Sequence, residues 1–102
     1  GKEHISVAIC YNHLANSYTQ TQQYKKAISV LQNALGILKK LFGKYHPYIA
    51  INYDNLADVY MALQDYQTAK GFYQKSLSIY KKVLGENHAD TLSIANKIKH
   101  LT

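Results

Sequence analysis

Apolar residues fall three or four positions apart in two long runs of this chain. Tyr24, Ala27, Ile28, Leu31, Ala34, Leu35, Leu38, Leu41 and Phe42 mark the first. Tyr66, Ala69, Tyr73, Leu77, Tyr80, Val83 and Leu84 mark the second, with Ser76 on the same stripe. That spacing gathers each set on one side of a helix. Val30 and Ile37, matched by Phe72 and Ile79, add a second apolar edge to each run, as a helix touching two neighbours requires. A shorter stripe of Ile9, Leu14, Ala15 and Tyr18 precedes the first run. The segments "TQTQQ" and "ALQD" between short and long stripes are too brief for anything but antiparallel hairpins, and Asp65 is placed to cap the second long helix. The pattern predicts five helices, over 4–20, 24–42, 47–62, 66–84 and 89–101. Gly43 and Gly85 follow the long helices where a residue of positive φ closes the last turn, and Pro47 opens the next helix where no amide hydrogen is needed.

The junctions repeat. "LFGKYHPYIA" at 41–50 returns in looser form as "VLGENHADTL" at 83–92, and "GKEHISVA" at the start is a fainter copy. Residues 4–45 laid on 46–87 without a gap pair sixteen identical residues, among them His4/His46, Tyr11/Tyr53, Leu14/Leu56, Ala15/Ala57, Tyr24/Tyr66 and Gly43/Gly85. A period of this size signals a solenoid, in which each unit buries its apolar face only against its neighbours. Repeat 1 spans about 4–45, repeat 2 about 46–87, and a partial repeat or capping helix fills 88–102, all within one unit that reads as a piece of a longer protein. His46 and His88 stand a whole repeat apart, some 10 Å or more given helix spacings of about 8–10 Å. They do not converge on a metal as ligands must, and they read as punctuation of the turn.

The pattern Tyr11-x2-Leu14-Ala15-x2-Tyr18, then Tyr24-x2-Ala27, then Ala34-Leu35, resembles the tetratricopeptide signature, with tyrosine for its tryptophan and alanine for its glycine. Tyr53, Leu56, Ala57, Tyr60, Tyr66, Ala69, Tyr73 and Leu77 repeat the match. The 42-residue period and the "LFGKYHP" and "VLGENHA" junctions look most like the kinesin light chain type of this repeat. The resemblance implies an all-α, right-handed superhelical solenoid of antiparallel helix pairs, with two full repeats and a C-terminal capping helix. It also implies a non-catalytic interaction module whose first helices line a concave groove for a peptide or partner segment. Carried over by spacing, that groove shows Ile9, Asn12, His13 and Asn16 from the first unit. Ile51, Asp54, Asn55, Asp58 and Met61 come from the second and Asn96 from the third. Asparagine there offers donor and acceptor together and so can hold a peptide backbone whatever its side chains; the alternative is an ordinary solvated helix face. Asp54 and Asp58 argue against a strongly acidic ligand.

Composition narrows the function classes. With 102 residues, 47% of them hydrophobic, the chain can build a core. Cys10 is the single cysteine, so no internal disulfide framework exists, and no leader or long apolar run suggests secretion or a membrane span. A cytoplasmic setting without membrane contact is the expectation, and no cofactor is called for. Twelve lysines, no arginine and six acids give a formal charge of +6, which raises single-stranded RNA or another polyanion as an alternative ligand. Lysine alone is a poor reader of phosphate and guanine, and Lys39-Lys40 and Lys81-Lys82 suit the last turns of helices. An enzyme is the third class. Its one support is that Cys10 and His13 lie a helical turn apart, with no orienting partner in the sequence. Apolar residues near the ends, Ile5, Val7, Leu92, Ile98 and Leu101, raise self-association through exposed solenoid edges.

Overall fold

The computed structural model describes residues 2–101, and side chains from Ser6 to Leu101. Five helices follow one another: α1 (Lys2–Gln20), α2 (Tyr24–Phe42), α3 (Pro47–Ala62), α4 (Tyr66–Leu84) and α5 (Ala89–Lys99). The predicted boundaries hold within two residues, with α1 starting at Lys2 and α5 ending at Lys99. Successive helices pack as antiparallel neighbours, α1 on α2 and α3 on α4 most extensively, so the chain is an all-helical solenoid measuring 36 × 30 × 18 Å. No strand occurs among the described residues.

The stripes become the core. Ala27, Leu31, Ala34 and Leu38 of α2 are buried, as are Ala69, Tyr73, Ser76, Ile79 and Tyr80 of α4. Helix α3 lies between them and buries Ile49, Ala50, Tyr53, Leu56, Ala57 and Val59. Each fully buried Leu or Ile contributes about 1.5–3 kcal/mol by leaving water. The small residues Ala50, Ala57, Ala27 and Ala69 let the helix axes approach closely. Phe72 stacks on Tyr53 and Tyr60 with ring centroids 5.9 and 5.6 Å apart, which is the extra apolar edge expected of α4. Two buried polar side chains stitch the layers: Asn52 Nδ2 donates to the Leu31 carbonyl at 3.0 Å, and Ser76 Oγ to the Ala50 carbonyl at 2.8 Å. Both bonds are cross-helix; Ser76 falls on the stripe expected of α4, whereas Asn52 did not stand out from its spacing.

Four turns define the solenoid's corners. The two within-repeat hairpins carry Gln22 and Gln64 at φ 63° and 64°. There the following amide reaches back to the Tyr18 and Tyr60 carbonyls, closing each helix with the bond pattern usually built on glycine. Gly43 and Gly85 end α2 and α4 at φ 77° and 92° with ψ −152° and 162°, a region open essentially to glycine alone. His46 and His88 then act as N-caps, each Nδ1 accepting the amide of the second residue on, Tyr48 and Asp90, at 3.1 Å. His46 is clamped by stacking on Phe42 with centroids 3.8 Å apart. The recurring histidines are therefore capping residues, and Asp65 caps α4 through Thr68 as expected.

Leu14 departs from the expected packing. Its counterpart Leu56 is fully buried, yet Leu14 is 40% exposed. Helix α3 is flanked on both sides by α2 and α4, whereas α1 packs on α2 and only touches α3. The edge residues also divide. Val7 and Leu92 are exposed, while Ile98 and Leu101 are half-buried against the core, α5 being packed on α4. Ile5 lies outside the residues whose side chains are described.

Candidate functional site

Helices α1, α3 and α5 present one side of the solenoid, and two clefts open along it. Asn16, Thr19 and Gln20 of α1 face Asn55, Asp58 and Val59 of α3 across a cleft of about 260 Å³. One turn further along α3, Met61 joins Tyr73, Asn96, Lys97, His100 and Leu101 around a second cleft of about 260 Å³. Of the ten residues expected in the groove, Asn16, Asn55 and Asp58 thus converge in the first cleft and Met61 and Asn96 in the second. Ile9 and Ile51, a period apart, are 41% and 38% exposed outside both clefts. His13 is exposed and Asn12 half-buried, also outside them. Asn12 nevertheless keeps its amide oxygen buried without a partner among the described residues.

The electrostatics of the groove centre on Lys97. Its ammonium donates to Asp54 Oδ1 at 2.9 Å, lies 3.5 Å from Asp58 Oδ1, and sits 5.5 Å above the Tyr73 ring. Tyr73 donates its hydroxyl to Asp58 Oδ1. One cation, two carboxylates and a phenol therefore lock α5 and α4 onto α3. Burial pushes the Asp54 carboxyl up, against the opposing pull of Lys97. Burial would lower the Lys97 ammonium, but its bond to Asp54 and the two carboxylate charges outweigh that and raise it. The Tyr73 hydroxyl is pushed up by burial and by the Asp58 carboxylate it serves. The acidity expected of this surface is consequently half-neutralised from within, and the spacing of Asp54, Asp58 and Lys97 gave no hint of it because the pairing crosses 43 residues.

Cys10 and His13 are both exposed, and no hydrogen bond joins them among the described residues. No group of three or more His, Cys, Asp or Glu suited to a metal ion occurs among those residues. No described helix is long and apolar enough to cross a membrane.

Comparison with known families assigns the repeat. The tetratricopeptide repeat model matches residues 6–82 and again 48–99, which together span nearly the whole chain. The chain belongs to the tetratricopeptide repeat family. Among solved structures it is similar to BtubC (BKLC) from P. vanneervenii, with a TM-score of 0.82 and 26% sequence identity over 92% of this chain. It spans 37% of that protein's length. A comparison with curated proteins finds no match. Tetratricopeptide repeats generally mediate protein–protein interaction and are typically non-catalytic. For a tetratricopeptide repeat, the α1/α3/α5 side is the one formed by the first helix of each pair, and it is where both clefts lie.

Proposed function

We propose that the α1/α3/α5 groove receives an extended peptide segment of a partner protein. The observation that carries this reading is the convergence of Asn16 and Asn55 from two successive repeats on one open cleft. Amides from two helices lining one cleft can offer a strand-like ligand's peptide units both donor and acceptor. Apolar ligand side chains are covered by Ile9, Ile51 and Met61, whose exposed or half-exposed surface gains most from contact. Asp58, about half exposed, keeps the first cleft acidic on balance, so a neutral or basic segment suits it and a strongly acidic one does not. Lys97 tempers that preference in the second cleft.

The test is a random-peptide display selection on the wild-type domain, with the Asn16→Ala/Asn55→Ala variant as counter-target. Both side chains lie outside the core, so the variant keeps its fold. Peptides that enrich on wild type and lose about tenfold or more on the variant, near 1.4 kcal/mol, support the groove. Binders indifferent to both changes overturn it.

A further inference from the structure

The other side of the solenoid carries the chain's charge. Helices α2 and α4 hold eight of the twelve lysines and not one aspartate or glutamate. Where the C-terminal half of α2, the junction after it and the middle of α4 meet, a cleft of about 320 Å³ opens. Lys39, Lys44 and Lys75 stand around it, Ile79 and Tyr53 form an apolar wall, and Ser78 adds a hydroxyl. All three lysines are exposed, and no carboxylate lines the cleft among the described residues. Two of the three, and Lys82 at the rim, are also held in place. Lys39 and Lys75 lie 5.9 and 5.5 Å from the Tyr53 ring centre, and Lys82 sits 4.0 Å over Tyr45 at the rim. Cations anchored on aromatic faces lose less freedom on binding than free lysines do.

We infer that this α2–α4 cleft is a second docking site, taking an acidic peptide segment that sets an apolar side chain against Ile79 and its carboxylates on Lys39, Lys44 and Lys75. Charge complementarity fixes the sign of the partner. Part of the Lys39 charge serves the end of its own helix, but Lys75 is mid-helix and Lys44 lies beyond the helix end. The geometry favours a peptide over nucleic acid. Tyr53 is only 8% exposed and has no free ring face for a base, and the face of Tyr45 is occupied by Lys82. A cleft with an apolar wall and a polar rim also matches the usual build of a side-chain pocket. The two sides of the solenoid thus differ, with the groove carrying Asp54 and Asp58 around Lys97 and helices α2 and α4 carrying lysine with no acid.

The experiment is fluorescence anisotropy with a fluorescein-labelled peptide of alternating glutamate pairs and single leucines, alongside an oligouridylate of equal charge. Three proteins are compared: wild type, Lys39→Gln/Lys44→Gln/Lys75→Gln, and the charge-matched control Lys25→Gln/Lys26→Gln/Lys70→Gln. The cleft variant is expected to bind the acidic peptide at least about tenfold more weakly, and the control within about twofold of wild type. Lys44→Glu alone, at an exposed position outside any helix, is expected to weaken binding at least about fivefold and guards against misfolding of the triple variant. Equal weakening in both triple variants overturns the proposal, because attraction would then come from net charge alone. Tighter binding of the oligouridylate through the same lysines overturns it in favour of nucleic acid. So does failure of the wild type to bind the acidic peptide.

Discussion

Lys97→Met isolates the contact that seats the last helix. The substitution keeps an apolar stem against the Tyr73 ring and removes the ammonium that Asp54 holds at 2.9 Å and Asp58 approaches at 3.5 Å. Coulomb's law at an effective dielectric of about 20 gives roughly 6 kcal/mol for a pair at 2.9 Å, and about 1.4 kcal/mol at that of water. The Lys97 side chain is 38% exposed and Asp54 22%, so solvent screens the pair toward the lower figure. Its hydrogen bond, and the repulsion left between two carboxylates, pull upward again. A net loss of about 1–2 kcal/mol results. In a domain of this size that lowers Tm by about 5–10 °C, measured by far-ultraviolet circular dichroism. A cycle with Asp54→Asn apportions the effect. The double variant should recover about 1 kcal/mol of coupling, because the desolvated carboxylate no longer lacks its partner. Lys97→Met alone makes the groove more acidic, so basic peptides selected on the wild type should bind that variant more tightly. A Tm unchanged within 1 °C or so by Lys97→Met, or strict additivity in the cycle, refutes the reasoning.

Glycine substitutions should show opposite signs by position. Gly43→Ala meets no atom within 4 Å, yet φ 77° strains any side chain, so a cost of about 1–3 kcal/mol is expected in urea denaturation. Gly36→Ala, equally unobstructed in the middle of α2, should instead stabilise by about 0.5–1 kcal/mol. Gln64→Gly relieves a left-handed glutamine at φ 64° and should raise stability by about 0.5–1 kcal/mol, the lost strain exceeding the added chain entropy; a lower midpoint would contradict this. Alkaline pH should weaken the fold. Burial, then the charges of Asp54 and Asp90, push the Tyr80 hydroxyl from 10.0 up to about 12. A folded pKa above the unfolded one means that its contribution is whole below about pH 10 and is lost as pH rises toward 12. Lys97, raised from 10.5, loses its own contribution on the same side. Tyr80→Phe should therefore flatten the fall of Tm above pH 10, and an unchanged fall would remove Tyr80 as a cause.

The helices were legible because their information is local. Apolar spacing, Asp65, Pro47 and the two glycines act within a turn of where they stand, so boundaries could be read from neighbouring letters. Asn52 and Lys97 were not legible, because their partners, Leu31 and Asp54, come from other helices. The period itself obscured them. At the position of buried Asn52 the preceding unit has exposed Cys10 and the following one buried Ile94, so a reader aligning repeats sees only a variable site. Leu14 and Leu56 make the opposite point, one letter in two environments set by how many helices flank it.

That same logic separates the two surfaces of the molecule. Recognition residues on α1, α3 and α5 come from different repeats and are partly consumed by pairing inside the solenoid, as Asp54 and Asp58 are by Lys97 and Tyr73. The lysines of α2 and α4 have no acid on their own helices to consume them, and Lys39, Lys75 and Lys82 are braced on Tyr53, Phe72 and Tyr45. A repeat that spends its carboxylates holding one side together leaves an uncompensated positive field on the other. The residues that hold the groove side together and those that line the α2–α4 cleft are separate sets. Lys97→Met should accordingly alter affinity in the groove while leaving an acidic peptide on the α2–α4 side bound as before. A parallel change at both surfaces would mean that they are not separate sites.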